Sequence, residues 1–169
     1  VNTINSGSGV LNLVLVANQS NTPVNNGNSL TGDQGDDTIW GGPFNDRLYG
    51  DFGTDTIDGR AGNDIISGGN GDNLLKGGSG DDVIYVGNGQ GDIVDGGSGQ
   101  DVLDATQSIG ERNGGSFVGE AGDDFIVGTN NDTSILEGGS GNDWIEGGLS
   151  LATSSQLAGV LMQGDFGPN

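Results

Sequence analysis

Nine residues recur along residues 32–104, and that period decides what this chain can build. The clearest copy is Gly77-Gly78-Ser79-Gly80-Asp81-Asp82-Val83-Ile84-Tyr85, of the form G-G-x-G-x-D-x-U-x with U a large apolar residue. Stepping back by nine gives 68–76, 59–67, 50–58, 41–49 and 32–40; stepping forward, after one extra residue at Val86, gives 87–95 and 96–104. The sixth place then reads Asp37, Asp46, Asp55, Asp64, Asn73, Asp82, Asp92 and Asp101. The eighth reads Ile39, Leu48, Ile57, Ile66, Leu75, Ile84, Val94 and Leu103. A period held this tightly marks a repeat architecture, in which each unit stacks on its neighbours.

Each unit divides into a turn and a strand. Glycine in the first six places permits positive φ and close backbone approach. The last three places form a short strand whose middle side chain faces inward while its neighbours face out. Two units complete a coil of eighteen residues, and coils stack at roughly 4.8 Å, the inter-strand spacing. The expected fold is all-β: a right-handed parallel β-roll, a β-solenoid of two parallel sheets around a thin Ile/Leu/Val core. Turns on one edge come from every second repeat, so the sixth-place residues sort into two columns. One holds Asp37, Asp55, Asn73 and Asp92; the other holds Asp46, Asp64, Asp82, Asp101, Asp124 and Asp143.

Composition supplies the chemical constraint. The 169 residues carry 24 Asp and Glu against 4 Lys and Arg, a formal charge of −20. Low apolar content with high net charge is ordinarily the signature of disorder, but disordered chains do not place Ile or Leu at every ninth position. A compact body with this charge repels itself unless cations neutralise it, and nucleic acid and anionic membranes are excluded as electrostatic partners. The chain has no Cys and no His, which removes disulfides, thiolate chemistry and the usual zinc ligand. Stacked carboxylates with turn carbonyls offer only hard oxygen donors, and these favour calcium over softer or strictly octahedral ions.

The remaining segments read less sharply. Residues 1–31 are Asn/Ser/Gly-rich around an apolar patch at 10–16 that reads as one or two strands, and 25–31 resemble a worn repeat with Asn28 at the sixth place and Leu30 at the eighth. This segment is expected to be a metal-poor cap or lead-in that extends both sheets. An insertion near 105–109 precedes a worn copy at 110–118, with Phe117 in the core place and Gly115 where the aspartate belongs. Residues 119–127 and 138–146 are good copies (Asp124 and Ile126; Asp143 and Ile145), with a worn copy between them carrying Ser134 at the sixth place. The roll is thus expected over 32–146 and a capping tail over 147–169, where 154–162 suits either a short helix or a strand. With no signal peptide and Val1 as its first residue, the chain reads as an excerpt of something longer.

The tandem motif over 32–146 resembles the RTX family of calcium-binding nonapeptide repeats. The resemblance implies ions held between the turns of repeats n and n+2. The lower turn gives its aspartate and the carbonyls of places one and three; the upper gives its aspartate and the carbonyls of places two and four. One such site would use Gly59, Ala61 and Asp64 with Gly78, Gly80 and Asp82. Its counterpart on the other edge would use Gly32, Gln34 and Asp37 with Asp51, Gly53 and Asp55. Adjacent pairs in the columns imply roughly 6–8 Ca2+ ions, and eight would supply about +16 against −20, so folding is expected to require metal. Phe44 and Gln90, taken as replacing the place-four glycine, threaten turn geometry at their steps, and Asn73 removes charge from its own.

Outward residues add one further expectation. Arg47, Ile65, Val83, Val102, Phe125 and Trp144 share the seventh place along one sheet, and the last five would form an apolar docking stripe. Asp36, Asp81 and Asp123 at the fifth place are expected to point outward and merely add field. The resemblance implies export by type I secretion from a bacterium, with the repeats folding in external calcium. The leading reading is a calcium-stabilised structural module of an extracellular or cell-surface protein, such as an adhesin, surface layer or filament, with self-association as one partner mode. The alternative is a calcium-dependent carbohydrate-binding accessory module, with a glycan as partner. An enzyme is not expected, since only carboxylates already committed to metal are available for acid–base work.

Overall fold

The computed structural model describes residues 3–5, 12–17, 27–107, 115–128, 135–147 and 161–166, the first and last of these as backbone only. Every regular element among them is a strand. The odd-numbered strands are β1 (Thr3–Asn5), β3 (Ser29–Thr31), β5 (Arg47–Tyr49), β7 (Ile65–Ser67), β9 (Val83–Tyr85), β11 (Val102–Asp104), β13 (Phe125–Val127) and β15 (Trp144–Glu146). The even-numbered are β2 (Val14–Val16), β4 (Thr38–Trp40), β6 (Thr56–Ala61), β8 (Leu74–Ser79), β10 (Ile93–Ser98), β12 (Ser116–Ala121), β14 (Ile135–Gly141) and β16 (Leu161–Phe166). Odd strands make one eight-stranded sheet and even strands the other, each in chain order and parallel throughout. Consecutive strands therefore never pair; the chain crosses from sheet to sheet at each turn, as the two-unit coil requires. No helix among the described residues is long and apolar enough to cross a membrane.

The nine-residue period sets this register. Leu48 pairs with Ile66, and Ile66 with Ile84, while Ile39 pairs with Ile57 and Ile57 with Leu75. All eight eighth-place residues of the array are at most 1% exposed, as are Leu30, Phe117, Ile126 and Leu136 from the worn or later copies. Their side chains fill the space between the sheets, and their burial is the main apolar contribution to the fold. Within residues 1–31, β1 pairs β3 and β2 pairs β4. At the other end β16 pairs β14, so the tail's described part is a strand reaching beyond Met162. Residues 1–2, 6–11, 18–26, 108–114, 129–134 (with Ser134), 148–160 and 167–169 lie outside the described residues.

The structure relocates the extra residue assigned to Val86. The Val86 amide donates to the Asp104 carbonyl, as the Gly50 amide does to Ser67 and the Gly68 amide to Tyr85, and Val86 is fully buried. Val86 thus holds place one, where an apolar side chain gains from burial. Gly89 lies over Gly71, and the Gln90 amide donates to Asp72 Oδ1 just as Thr54 donates to Asp36. Gln90 is a fifth-place residue rather than a place-four one, and the surplus residue is Gly91, inside the turn. Ala105 and Gly128 likewise hold place one, their amides donating to Val127 and Glu146. The insertion therefore begins after Ala105. Val86, Ala105 and Gly128 all stand on the edge that leads into the even sheet.

Candidate metal centre

Two places in each regular turn require left-handed backbone. Place four is glycine with φ between 111° and 152° at Gly35, Gly53, Gly62, Gly71, Gly80, Gly99, Gly122 and Gly141. Place two is also left-handed, and four non-glycine residues accept the strain there: Asp33, Asp51, Arg60 and Glu120, with φ from 70° to 76°. Arg60 is held over the Trp40 ring at 5.4 Å, a cation–π contact on the outer face. These kinks curl each turn so that its sixth side chain points back into the turn rather than out to solvent.

The sixth-place side chains form the two columns expected. On one edge the amides of Asp37, Asp55 and Asn73 donate to Oδ1 of Asp55, Asn73 and Asp92 at 2.7, 2.9 and 2.8 Å. On the other, Asp46, Asp64, Asp82, Asp101 and Asp124 donate to Oδ1 of Asp64, Asp82, Asp101, Asp124 and Asp143, at 2.6 to 3.0 Å. Leu13 and Asn28 start the columns by donating to Asp37 and Asp46. Every member from Asp37 to Asp124 is at most 2% exposed, and Asp143, in the last regular turn, is half-buried. Gly115 ends the first column.

One carboxylate oxygen is thereby satisfied and the other is not. Oδ2 of Asp37, Asp55, Asp64, Asp82, Asp92, Asp101, Asp124 and Asp143 is buried with no hydrogen-bond partner. Each unpartnered buried charge is costly unless a cation or proton compensates it. Next to Gly59, Asp64 Oδ2 and the Gly77 carbonyl oxygen lie 2.4 and 2.6 Å from one point, the place a Cβ would occupy. The same convergence recurs at Gly32, Gly50, Gly77, Gly96 and Gly119, each with its own aspartate and the carbonyl of the next coil. At these six positions place one is glycine because oxygens fill the space a side chain would need.

The titration behaviour follows. Burial pushes the Asp64 carboxyl up to about 8 and that of Asp101 to about 7, against the pull of the amide each accepts, with neighbouring aspartates adding to the rise. Asp55, Asp82 and Asp92 are pushed up to about 6 for the same leading reason. Asp37, Asp51 and Asp124 are also raised, chiefly by burial. Without a cation each of these groups keeps its proton to a higher pH than an ordinary carboxylate.

The residues present suit calcium. Among the described residues no three acidic side chains converge as a carboxylate cage, so carbonyls must complete any coordination shell, as hard oxygen donors do for calcium. Of the carbonyl donors expected, Gly32, Gly53 and Gly80 lie in turns, Gly59 and Ala61 lie at the end of β6, Gly78 lies in β8, and Gln34 bridges Phe52. The Asp51 carbonyl already accepts the Asn70 amide at 2.7 Å, leaving one lone pair. Asn73 and Asp46 depart from the column pattern. The Asn73 Nδ2 donates to the Gly71 carbonyl, and Asp46 Oδ2 accepts the Gly42 amide.

A second ladder escaped the sequence reading. Fifth-place Asp36, Asn45, Asn63, Asp72, Asp81 and Asp123 accept, on Oδ1, the amide of the fifth-place residue one coil on: Thr54, Asn63, Asp81, Gln90, Gln100 and Asn142. These bonds run opposite in direction to the sixth-place ladder, so the exposed acids at 36, 81 and 123 tie turns together rather than only adding field. The seventh-place apolar residues form a row in register across one sheet. Ile65, Val83, Val102, Phe125 and Trp144 pair in sequence on the outer face, and Phe125 stacks on Trp144 with centroids 6.5 Å apart.

No curated protein and no solved structure matches the chain at a significant level. A model of the RTX calcium-binding nonapeptide repeat, four copies long, matches residues 31–66, 59–91, 67–103, 116–135 and 129–150, more than half of the chain. The stacked turns, the paired aspartate columns and this match agree: the chain belongs to the RTX family of calcium-binding repeats.

Proposed function

We propose that the chain is a calcium-stabilised structural module of a bacterial protein that works outside the cell, in an adhesin, surface layer or filament. The observation that carries this reading is the set of eight buried carboxylate oxygens without partners. They make the roll dependent on a divalent cation, and cytoplasm and exterior differ sharply in free calcium. RTX repeats are typical of secreted bacterial proteins, and weak extracellular calcium sites act in the millimolar range. A roll of this kind stays unfolded before export and folds after it, binding roughly 6–8 ions. Its sixth-place aspartates with an unpartnered Oδ2 hold the ions, and its glycine-rich turns offer the carbonyls.

The outer stripe supports a docking role. Phe125 and Trp144 are 41% and 63% exposed, next to Val102 and Val83 in the same row. A contiguous apolar row on a solvated sheet is a contact surface, and in a filament or surface layer it meets another copy. Light scattering after size exclusion, in calcium and in chelator, tests this. A larger species in calcium that reverts to monomer with Phe125→Ser and Trp144→Ser supports assembly through the stripe. A monomer at all concentrations in calcium rejects it and leaves a spacer.

A further inference from the structure

We propose that this chain closes two of its turn-to-turn steps to calcium with its own N–H donors, at Asn73 and at Asp46. The inference rests on the calcium reading above and concerns where, along the two edges, the ions are held.

At Asn73 the substitution changes more than charge. Where the aspartate repeats direct Oδ2 toward their place-one glycine, Asn73 directs Nδ2, which lies 2.9 Å from the Cβ point of Gly68. That nitrogen donates to the Gly71 carbonyl at 3.0 Å, while Oδ1 accepts the Asp55 amide at 2.9 Å. The two bonds orient the amide, because the reverse orientation would face donor to donor and acceptor to acceptor. An NH2 group therefore stands where a cation needs an oxygen, and it occupies one of the carbonyls that would bind the cation.

At Asp46 the carboxylate is kept but saturated. Oδ1 accepts the Asn28 amide at 2.6 Å and Asn28 Nδ2 at 3.0 Å, and Oδ2 accepts the Gly42 amide at 2.6 Å. Beside Gly41 the nearest atoms are backbone atoms of Gly59, with no Asp46 oxygen among them. The cause is the local sequence Gly41-Gly42-Pro43-Phe44, in which Phe44 stands at place four. No residue of this turn takes the positive φ found at places two and four elsewhere, so the turn follows another path and aims its place-two amide at the carboxylate. Among sixth-place aspartates from Asp37 to Asp143, Asp46 alone is missing from the unpartnered Oδ2 set. The protein's donors supply there what calcium supplies at the other steps.

Counting bound calcium per full-length chain by isothermal titration, with folding checked by circular dichroism, tests this. Asn73→Asp, which restores the missing oxygen, is expected to bind at least one more ion than the wild type. Asn73→Ala and Asp46→Asn are expected to match the wild-type count, while Asp64→Asn falls below it. An unchanged count in Asn73→Asp, or an ion lost in Asn73→Ala or Asp46→Asn, overturns the proposal. If Asn73→Ala does not fold, Asn73→Asp and Asp46→Asn still decide. A wild type that binds no calcium overturns the calcium reading itself, a different result from equal counts in wild type and Asn73→Asp.

Discussion

Replacing Asp82 by Asn should stabilise the protein without calcium and destabilise it with calcium. Asp82 is fully buried; its Oδ1 accepts the Asp64 amide at 2.7 Å, and its Oδ2 has no partner. Asparagine keeps the accepting oxygen and puts an NH2 group in place of the orphan, the arrangement already present at Asn73. Burial raises the Asp82 carboxyl from 3.8 to about 6, helped by the charge of Asp81 and opposed by the Asp64 amide. At about 1.4 kcal/mol per pH unit, that rise of about two units sets a ceiling of about 3 kcal/mol on the cost of holding this carboxylate charged above pH 6 without metal. Asp82→Asn should therefore gain about 1–3 kcal/mol in chelator near pH 7.5. In saturating calcium the same change removes a charged ligand, so the ion count falls and the calcium midpoint rises. Osmolyte-driven folding in chelator and urea unfolding in calcium, both read by circular dichroism, measure the two effects. A variant weakened under both conditions, or indifferent to both, refutes the idea that Oδ2 of Asp82 is reserved for a cation.

Acidity should act as a partial substitute for metal. The folded-state values of Asp55, Asp64, Asp82, Asp92 and Asp101 lie at about 6 to 8, above the ordinary 3.8, so the folded chain binds protons more tightly than the unfolded one. The proton contribution is complete below about pH 4 and is lost as pH rises through about 8; β-structure in chelator should grow on acidification, and the calcium midpoint should rise because protons compete. A chelator sample whose structure is indifferent to pH over that window speaks against the buried, unpaired carboxylates. Gly80→Ala should cost upward of about 2 kcal/mol in urea unfolding with calcium, since Gly80 has φ of 122° and a Cβ would lie 2.2 Å from the Gly62 carbonyl oxygen; a near-neutral result would contradict the turn geometry. Ile66→Ala, fully buried between Leu48 and Ile84, should cost about 2–5 kcal/mol in the same assay, and a loss below about 1 kcal/mol would argue against a continuous core.

The period made the fold legible, because stacking depends on which residue falls at each ninth position. Ile39 through Leu103 could be placed in the core, and Asp37 through Asp101 in two columns, without any knowledge of contacts. Turn detail was harder to read. Glycine-rich letters align equally well with the surplus residue at Val86 or at Gly91, and burial of the valine side chain together with the hydrogen bonds of the Val86 and Gln90 amides distinguishes them. The apolar residue at that point was the available signal. The fifth-place ladder was missed because exposed Asp and Asn read as solvated, although their recurrence in turns favours side-chain bonds to backbone. Hydrogen-bond direction cannot be read from letters at all, so neither the saturation of Asp46 nor the orientation of the Asn73 amide was visible before the structure.

The central claim is that this roll is built around cations, with unpartnered carboxylate oxygens as their ligands. Circular dichroism through a calcium titration of the metal-free chain at neutral pH tests it most directly. The account predicts a chain largely without β-structure in chelator that folds cooperatively as calcium approaches the millimolar range, with magnesium far less effective. A chain already fully folded in chelator, and unmoved by calcium, would contradict it.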